Sequence, residues 1–187
     1  MSGKSALVRA LHDSLERGLS FAAFRIPGQP VHIWAQRSPE LETVDGELLL
    51  ELNQVFLLAP FALDREHIPF IRADVELAFV EIDPDIDLLK TCTGNGTFKS
   101  ERPAASTVEG YRADLKAAID ACRSGALTKV IVARTMASDL LPTDLPEAFE
   151  RMVAEAPEAC VAMAYTAEHG LWMGASPERL VHAEEGK

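Results

Sequence analysis

Two ionisable residues in the second half of the sequence are candidates for acid–base chemistry. Lys129 opens an apolar run, residues 130–133, and no acidic residue next to it in sequence offers a local ion pair. Glu178 follows Pro177 in the stretch GASPERL, residues 174–180, where proline removes a backbone donor and holds Ser176 extended. An amine and a carboxyl group in one site can accept and donate a proton. The two residues therefore raise the hypothesis of a Lys/Glu acid–base pair.

Each of these residues also has an ordinary structural explanation. Lys129 would then lie at the mouth of a strand and reach solvent through its flexible stem. Glu178 would be a solvated turn carboxylate. An ion pair between Glu178 and adjacent Arg179 is disfavoured, because successive side chains of an extended chain point to opposite sides. The residue types alone leave these alternatives open.

Other catalytic and metal-binding motifs are absent from the sequence. The 5 histidines show no metal-ligand spacing, Ser176 is not in a Gly-x-Ser-x-Gly elbow, and there is no phosphate-binding loop. The 3 cysteines are an odd number, and none is close to another in sequence. This pattern is typical of reduced thiols in a cytoplasmic protein rather than of a disulfide framework or a zinc site.

The composition indicates a globular domain with an acidic balance. The 187 residues are 48% hydrophobic and 25% charged, and the formal net charge is −11. This charge argues against a nucleic-acid or anionic-membrane partner, because either needs clustered lysine and arginine. No apolar run approaches membrane-spanning length. An anionic small molecule can still bind, provided that a local cation or a metal accompanies it.

Hydrophobic periodicity predicts the elements that must position the candidate residues. The first half has an amphipathic helix followed by short strands, loop-like stretches at 83–85 and 93–97, of which the second is a candidate surface loop, and no clear pattern in the rest of residues 62–103. In the second half, Ser106–Glu109 reads as a capping box, and the apolar run at 129–134 predicts a central strand. The order of elements predicts an α+β fold with a mixed or antiparallel sheet. The predicted elements are helices at 5–17, 106–124 and from 144, and strands at 21–26, 31–34, 55–58, 129–134, 160–165 and 171–173.

Three segments in this order resemble the chorismate-utilising enzymes, a family that includes isochorismate synthase, salicylate synthase and the first components of anthranilate and aminodeoxychorismate synthase. The segments are residues 106–111 (STVEGY), 125–134 (GALTKVIVAR) and 174–180 (GASPERL). The clear resemblance covers residues 104–184. Residues 21–30 and 55–61 also look like the N-terminal part of menaquinone- or siderophore-type isochorismate synthases. The resemblance implies the family's α/β sandwich, with helices packed outside a mixed or antiparallel sheet.

The resemblance also implies roles for particular residues. Family members that add water to chorismate resemble this chain in having lysine at the position of Lys129, whereas those that add ammonia usually have glutamine. Water needs a general base near neutral pH and ammonia does not. Isochorismate synthase is thus implied first and salicylate synthase second, with Lys129 as the base and Glu178 as the acid. Gly174, Ala175 and Ser176 are implied to contact the substrate, chorismate.

The resemblance stops short of a complete family member. The family's Mg²⁺-binding glutamates and its anchors for the substrate carboxylate belong after Lys187, so no metal ligand is expected in this chain. The expectation is the N-terminal half of an isochorismate synthase, inactive alone, with residues 1–103 as a variable part and 104–187 as the start of the chorismate-binding region. A non-enzyme alternative is a half-domain that associates with itself or with a second-half chain through exposed sheet edges.

Overall fold

The computed structural model describes residues 4–59, 67–96, 104–136 and 141–176. The chain divides into two compact units, residues 1–100 with 141–187, and residues 101–140. The combination of helices with antiparallel sheets confirms the predicted α+β class. The helices are α1 (Ala6–Glu16), α2 (Val108–Arg123) and α3 (Leu145–Glu155), and the strands are β1 (Phe21–Arg25), β2 (Val31–Ala35), β3 (Glu42–Val44), β4 (Val55–Leu57), β5 (Ile68–Arg72), β6 (Val75–Phe79), β7 (Cys160–Thr166) and β8 (Gly170–Ser176).

A five-stranded sheet forms the centre of the first unit, with the strand order β6-β2-β1-β7-β8. Every neighbouring pair is antiparallel. The predicted β1–β2 hairpin is confirmed, and Gly28 in its turn has a φ of 75°, which an L-residue rarely adopts. In the β7–β8 hairpin, Ala162 lies opposite Gly174 and Cys160 lies opposite Ser176.

Helices α1 and α3 cover one face of this sheet. Leu11 of α1 and Phe149 of α3 are fully buried in one cluster with Phe21, Ile33 and Met163, which the pleat of their strands directs to the same side. Burying a side chain of this size contributes about 1.5–3 kcal/mol. The helices therefore hold β1, β2 and β7 together from one side.

A three-stranded sheet, β3-β5-β4, packs over part of the opposite face. Ile71 of β5 is buried with Ala22 of β1 and Ala164 of β7. Strands β5 and β6 lie in residues 62–103, where the sequence pattern predicts no particular element. Pro69 is the second residue of β5 and cannot donate a ladder hydrogen bond, and a proline at this position hides the strand in the sequence pattern.

The glycine-rich segment at 93–96 is held against the end of α1 rather than being a free surface loop. Asn95 N–H donates to the Gly18 carbonyl at 3.1 Å, and Gly96 N–H donates to the Arg17 carbonyl at 3.2 Å. A Cβ at Gly94 would lie 1.8 Å from the Arg17 oxygen. Glycine is required there because the two backbones touch.

The second unit contains α2, and two details of it correct the sequence prediction. Thr107, not Ser106, caps α2, since the Thr107 hydroxyl accepts a hydrogen bond from Gly110 N–H at 3.0 Å. Residues 129–134 form no strand, because a strand needs a neighbour for its backbone hydrogen bonds and the described residues of this unit provide none. Ile131 in this segment is 81% exposed.

Local contacts nevertheless tie the segment that carries Lys129 to α2. At its start, Leu127 N–H donates to the Ala121 carbonyl at 3.2 Å. At its end, Ser106 and Thr135 exchange two hydrogen bonds, from Ser106 N–H to the Thr135 carbonyl at 2.9 Å and from Thr135 N–H to the Ser106 hydroxyl at 3.0 Å. Lys129 thus lies in a chain segment that is fixed at both ends.

Arg25 fastens the end of α3 to β1. Its side chain is buried, and its guanidinium donates to the carbonyls of Pro157 and Ala156 and to that of Val153 at 3.4 Å. These carbonyls belong to or directly follow the last turn of α3, where free carbonyls and the helix dipole favour a cation. A side chain from the central sheet therefore supplies hydrogen-bond donors to the C-terminal end of α3.

We predict that Arg25→Ala lowers the free energy of unfolding by about 1–3 kcal/mol, because it removes the donor to three part-buried carbonyls. Urea unfolding followed by circular dichroism measures this loss. Arg72→Ala is the matched control, since Arg72 pairs with Glu42 in an exposed ion pair and its removal costs less than about 1 kcal/mol. Equal losses in the two variants would contradict the structural role of Arg25.

We predict that Ser106→Ala accelerates hydrogen exchange at the Thr135 amide by about 10-fold, because that amide loses its acceptor; a free-energy loss of about 1.4 kcal/mol corresponds to this factor. Exchange resolved by residue with NMR measures the effect. Thr107→Ala is the control, since it should accelerate exchange at Gly110 and leave Thr135 unchanged. Unaltered exchange at Thr135 in Ser106→Ala would show that the hydrogen bond does not hold the segment.

Candidate functional site

The predicted substrate-contacting residues Gly174, Ala175 and Ser176 form the end of β8. Strand β8 pairs only with β7 among the described strands, so it is an edge of the five-stranded sheet. All three residues are exposed. Since Leu171 and Met173 pack into the main core, alternation places Trp172, Gly174 and Ser176 on the opposite face of the sheet.

A groove of about 420 Å³ lies at this end of β8. This volume is within the range of about 300–1,000 Å³ that is typical of small-molecule sites. The small residues of the β7–β8 hairpin line it together with larger side chains from β4 and the residue that follows β4, Phe56 and Leu58. The structure therefore brings the predicted residues Gly174, Ala175 and Ser176 into one concave surface. Its other lining residues are Cys160, Ala162, Ala164, Trp172 and Met173.

Small side chains keep the groove open. A Cβ built on Gly174 meets nothing within 4 Å, so the space above this glycine is free. Its cross-strand partner is Ala162, which adds only a methyl group. A flat group could therefore approach the backbone at Gly174.

The described lining of the groove carries no charged side chain. Its polar groups are the Ser176 hydroxyl and the Cys160 thiol, which lie opposite each other in the β7–β8 register. The apolar walls can accept a ring, but they do not neutralise a carboxylate. Any anionic part of a ligand must be bound by groups outside this lining.

Lys129 lies in the second unit, and its side chain is exposed. Glu178 lies outside the described residues. The assignment of these two residues as an acid–base pair stays a prediction. Gly174, Ala175 and Ser176 lie together, as their adjacency in sequence requires.

The sequence prediction missed the walls of the groove. Phe56 and Leu58 reach it through the packing of the second sheet on Ala22 and Ala164, a contact between distant parts of the chain that no local pattern signals. Trp172 had a local signal: it alternates with two core residues, Leu171 and Met173, and so had to face away from the core.

A cluster of ionisable groups elsewhere in the first unit has a structural role. Lys4 forms an ion pair with Glu147 of α3 at 2.9 Å, and His12 of α1 lies 3.4 Å from the same oxygen. The hydrogen bond from Lys4 is the main cause that holds the pKa of Glu147 below its usual range. These contacts join α1 to α3.

The described residues do not supply a magnesium site. Among them, no group of three or more His, Cys, Asp or Glu side chains could hold a metal ion. Hard cations such as Mg²⁺ need carboxylate or carbonyl oxygens, and the groove at Gly174 has no carboxylate in its described lining. Also within the described part of the chain, no helix combines the length and the apolar character needed to cross a membrane.

Comparisons with known proteins give one finding. The model of a family described as chorismate binding enzyme matches residues 77–187. No curated protein and no solved structure matches the chain. The matched range includes β7, β8, the groove residues from Cys160 to Ser176, Lys129 and Glu178. Because the match covers more than half of the sequence, the chain belongs to the chorismate-binding enzyme family.

Proposed function

We propose that the protein is an isochorismate synthase, which adds water at C2 of chorismate with loss of the C4 hydroxyl. The observation that carries this proposal is the residue type at position 129. The resemblance of the stretch GALTKVIVAR to the family implies that a lysine at the position of Lys129 accompanies water addition. A weak nucleophile such as water requires a base.

The proposed mechanism uses two neutral groups. Lys129, as the free amine, takes a proton from the water that attacks C2, and the two conjugated ring double bonds shift as the C4 hydroxyl departs. Glu178, as the carboxylic acid, donates a proton to that hydroxyl, which leaves as water. Burial favours the neutral form of both an amine and a carboxyl group. One proton is taken and one is given, so the reaction is an isomerisation.

The groove at Gly174 supports a substrate of this kind. Its apolar lining and its floor of small residues suit a six-membered ring, and the Ser176 hydroxyl offers a hydrogen bond at one end. Chorismate carries carboxylates, which need cationic partners. Those partners, and the Mg²⁺ that the resemblance implies, have no binding groups in the described lining of the groove.

We further propose that the reaction takes place in the cytoplasm. Cys92, Cys122 and Cys160 are all free thiols, of which Cys92 is buried and Cys160 is exposed. An exposed free thiol is typical of a reducing compartment.

We predict that Lys129→Ala and Glu178→Gln each lower isochorismate formation by at least about 100-fold, because each removes one proton-transfer group. The assay measures isochorismate from chorismate with Mg²⁺, using this chain and the longer polypeptide that the resemblance implies. This chain alone should form no isochorismate at ordinary enzyme rates, because two correctly typed residues give little catalysis by themselves and no candidate metal site occurs among the described residues.

The control for this assay is Lys116→Ala. Lys116 is an exposed lysine of α2 whose ammonium pairs with Asp120 at 2.6 Å, and its removal should leave the rate unchanged. Full turnover in both Lys129→Ala and Glu178→Gln would show that the proposed roles of general base and general acid are wrong. Ordinary rates from the 187-residue chain alone would refute its inactivity.

A second proposal, that the chain associates through a sheet edge, is favoured by the exposure of β8. The strand has a neighbour on one side only among the described strands, and an unpaired edge is a template for another strand. Large apolar side chains are exposed as well, among them Trp172 at 69%. The partner would be a second copy of this chain or a chain that supplies the remaining motifs of the family.

We predict that the chain forms dimers that a charge at the β8 edge weakens. Ala175→Lys should raise the dissociation constant about 10-fold, because a lysine on an edge strand opposes strand pairing. Sedimentation velocity across a concentration series measures this change. Leu50→Lys is the control, since Leu50 is 98% exposed and lies outside β8. A strictly monomeric wild type would refute self-association.

A further inference from the structure

We infer that Trp172 is the ring-stacking wall of the groove at Gly174, and that the substrate ring lies there with its carboxylates outside the groove. This inference rests on the proposed function, because it names how the same substrate is oriented. It assigns a positioning and specificity role to a side chain that the sequence analysis did not select.

The Trp172 indole is exposed and yet fixed. It is 69% exposed, although an indole gains much from burial. Its Nε1–H donates to the His169 carbonyl at 2.9 Å, within the turn that precedes β8. This hydrogen bond fixes the ring plane relative to the sheet. A pre-oriented aromatic surface binds a planar ring with little loss of side-chain entropy.

The residues next to Trp172 leave room for a ring beside it. Its cross-strand partner Ala164 is already covered by Ile71, and the open space lies over the next pair on the same face, Ala162 with Gly174. These two residues have at most one side-chain carbon each, so the sheet beside the indole is nearly flat. Phe56 and Leu58 close the groove with apolar groups. A flat floor beside an anchored indole fits a flat ring better than a branched chain.

The carboxylate charges of the substrate determine how it is oriented in the groove. The described lining has no lysine or arginine, so a carboxylate placed inside would lose its hydration without a partner. The protein as a whole is acidic, with a formal net charge of −11, which opposes an anion further. The uncharged ring therefore enters the groove, and the carboxylates remain at its mouth, where cationic groups or a metal can reach them.

Tryptophan fluorescence tests this inference directly. The sequence has 2 tryptophans, so Trp34→Phe leaves Trp172 as the sole indole. Trp34 packs edge-on against Phe24, with ring centroids 4.8 Å apart, and is not among the described residues that line the groove. The first probe is benzyl alcohol, a neutral planar ring, and cyclohexylmethanol is its saturated counterpart. The second probe is chorismate, added in competition with benzyl alcohol.

We expect a saturable shift of Trp172 emission with benzyl alcohol, weaker binding of cyclohexylmethanol, and displacement of benzyl alcohol by chorismate. Trp172→Leu should weaken benzyl alcohol binding about 2- to 10-fold, and Trp172→Phe should retain most of it, because phenylalanine keeps a stacking face. Binding to these variants is measured by ligand-observed NMR. Leu50→Ala, a change at a fully exposed leucine, should have no effect.

Two results would overturn the inference. If the shift is not saturable, or if Trp172→Leu binds benzyl alcohol as tightly as the wild type, Trp172 is not a stacking wall. If benzyl alcohol binds and chorismate does not displace it, the groove does not hold the substrate ring. Neither result depends on turnover. The isochorismate assay of the Lys129 and Glu178 variants separately decides the proposed function.

Discussion

The antiparallel pairing of β1 with β7 is the contact on which the first unit depends. It joins residues 21–25 to residues 161–165, so that a hairpin from the start of the chain and a hairpin from its end become one sheet. Arg25 lies at the end of this pairing and holds the last turn of α3 through three carbonyls. Without this pairing, β8 would have no attachment to the N-terminal strands, and the groove at Gly174 would have no second wall.

The two faces of the resulting sheet have different roles. One face is filled by α1 and α3 and supplies most of the buried apolar area. The other is covered only in part, by the β3-β5-β4 sheet around Ile71. What remains uncovered at the β8 end is the groove. The same alternation of side chains therefore places Leu171 against the core and Trp172 in the candidate site, one residue apart.

Local sequence patterns predicted the elements whose signals are local. The leucines of α1, the turn at Gly28 and the turn between β7 and β8 need no distant partner to be recognised, and these elements are where the sequence indicates them. Strand β5 was missed because Pro69 interrupts its pattern. The prediction of a strand at 129–134 was wrong for the opposite reason. Its apolar pattern is strong, but a strand also requires a neighbouring strand, and the sequence of one segment does not reveal whether that neighbour exists.

The candidate site shows the same limit. Gly174, Ala175 and Ser176 were predicted because the stretch GASPERL resembles the family's substrate-contacting segment. Phe56 and Leu58 approach them through sheet packing across about a hundred residues, and no spacing rule relates these positions. Trp172 could have been found from its alternation with core residues. The sequence could therefore indicate the small residues at the floor of the groove and Trp172 as one wall, but not the wall formed by Phe56 and Leu58.

The exposure of the segment after Lys129 connects fold to mechanism. The proposed base must be a neutral amine, and burial favours that form. Lys129 is exposed, and Ile131, two residues along the same segment, is 81% exposed. Apolar side chains of this size gain about 1.5–3 kcal/mol each when a partner covers them. Any strand that pairs with this segment to cover Ile131 would also remove water from Lys129. Covering Ile131 would therefore also favour the neutral form of the proposed base.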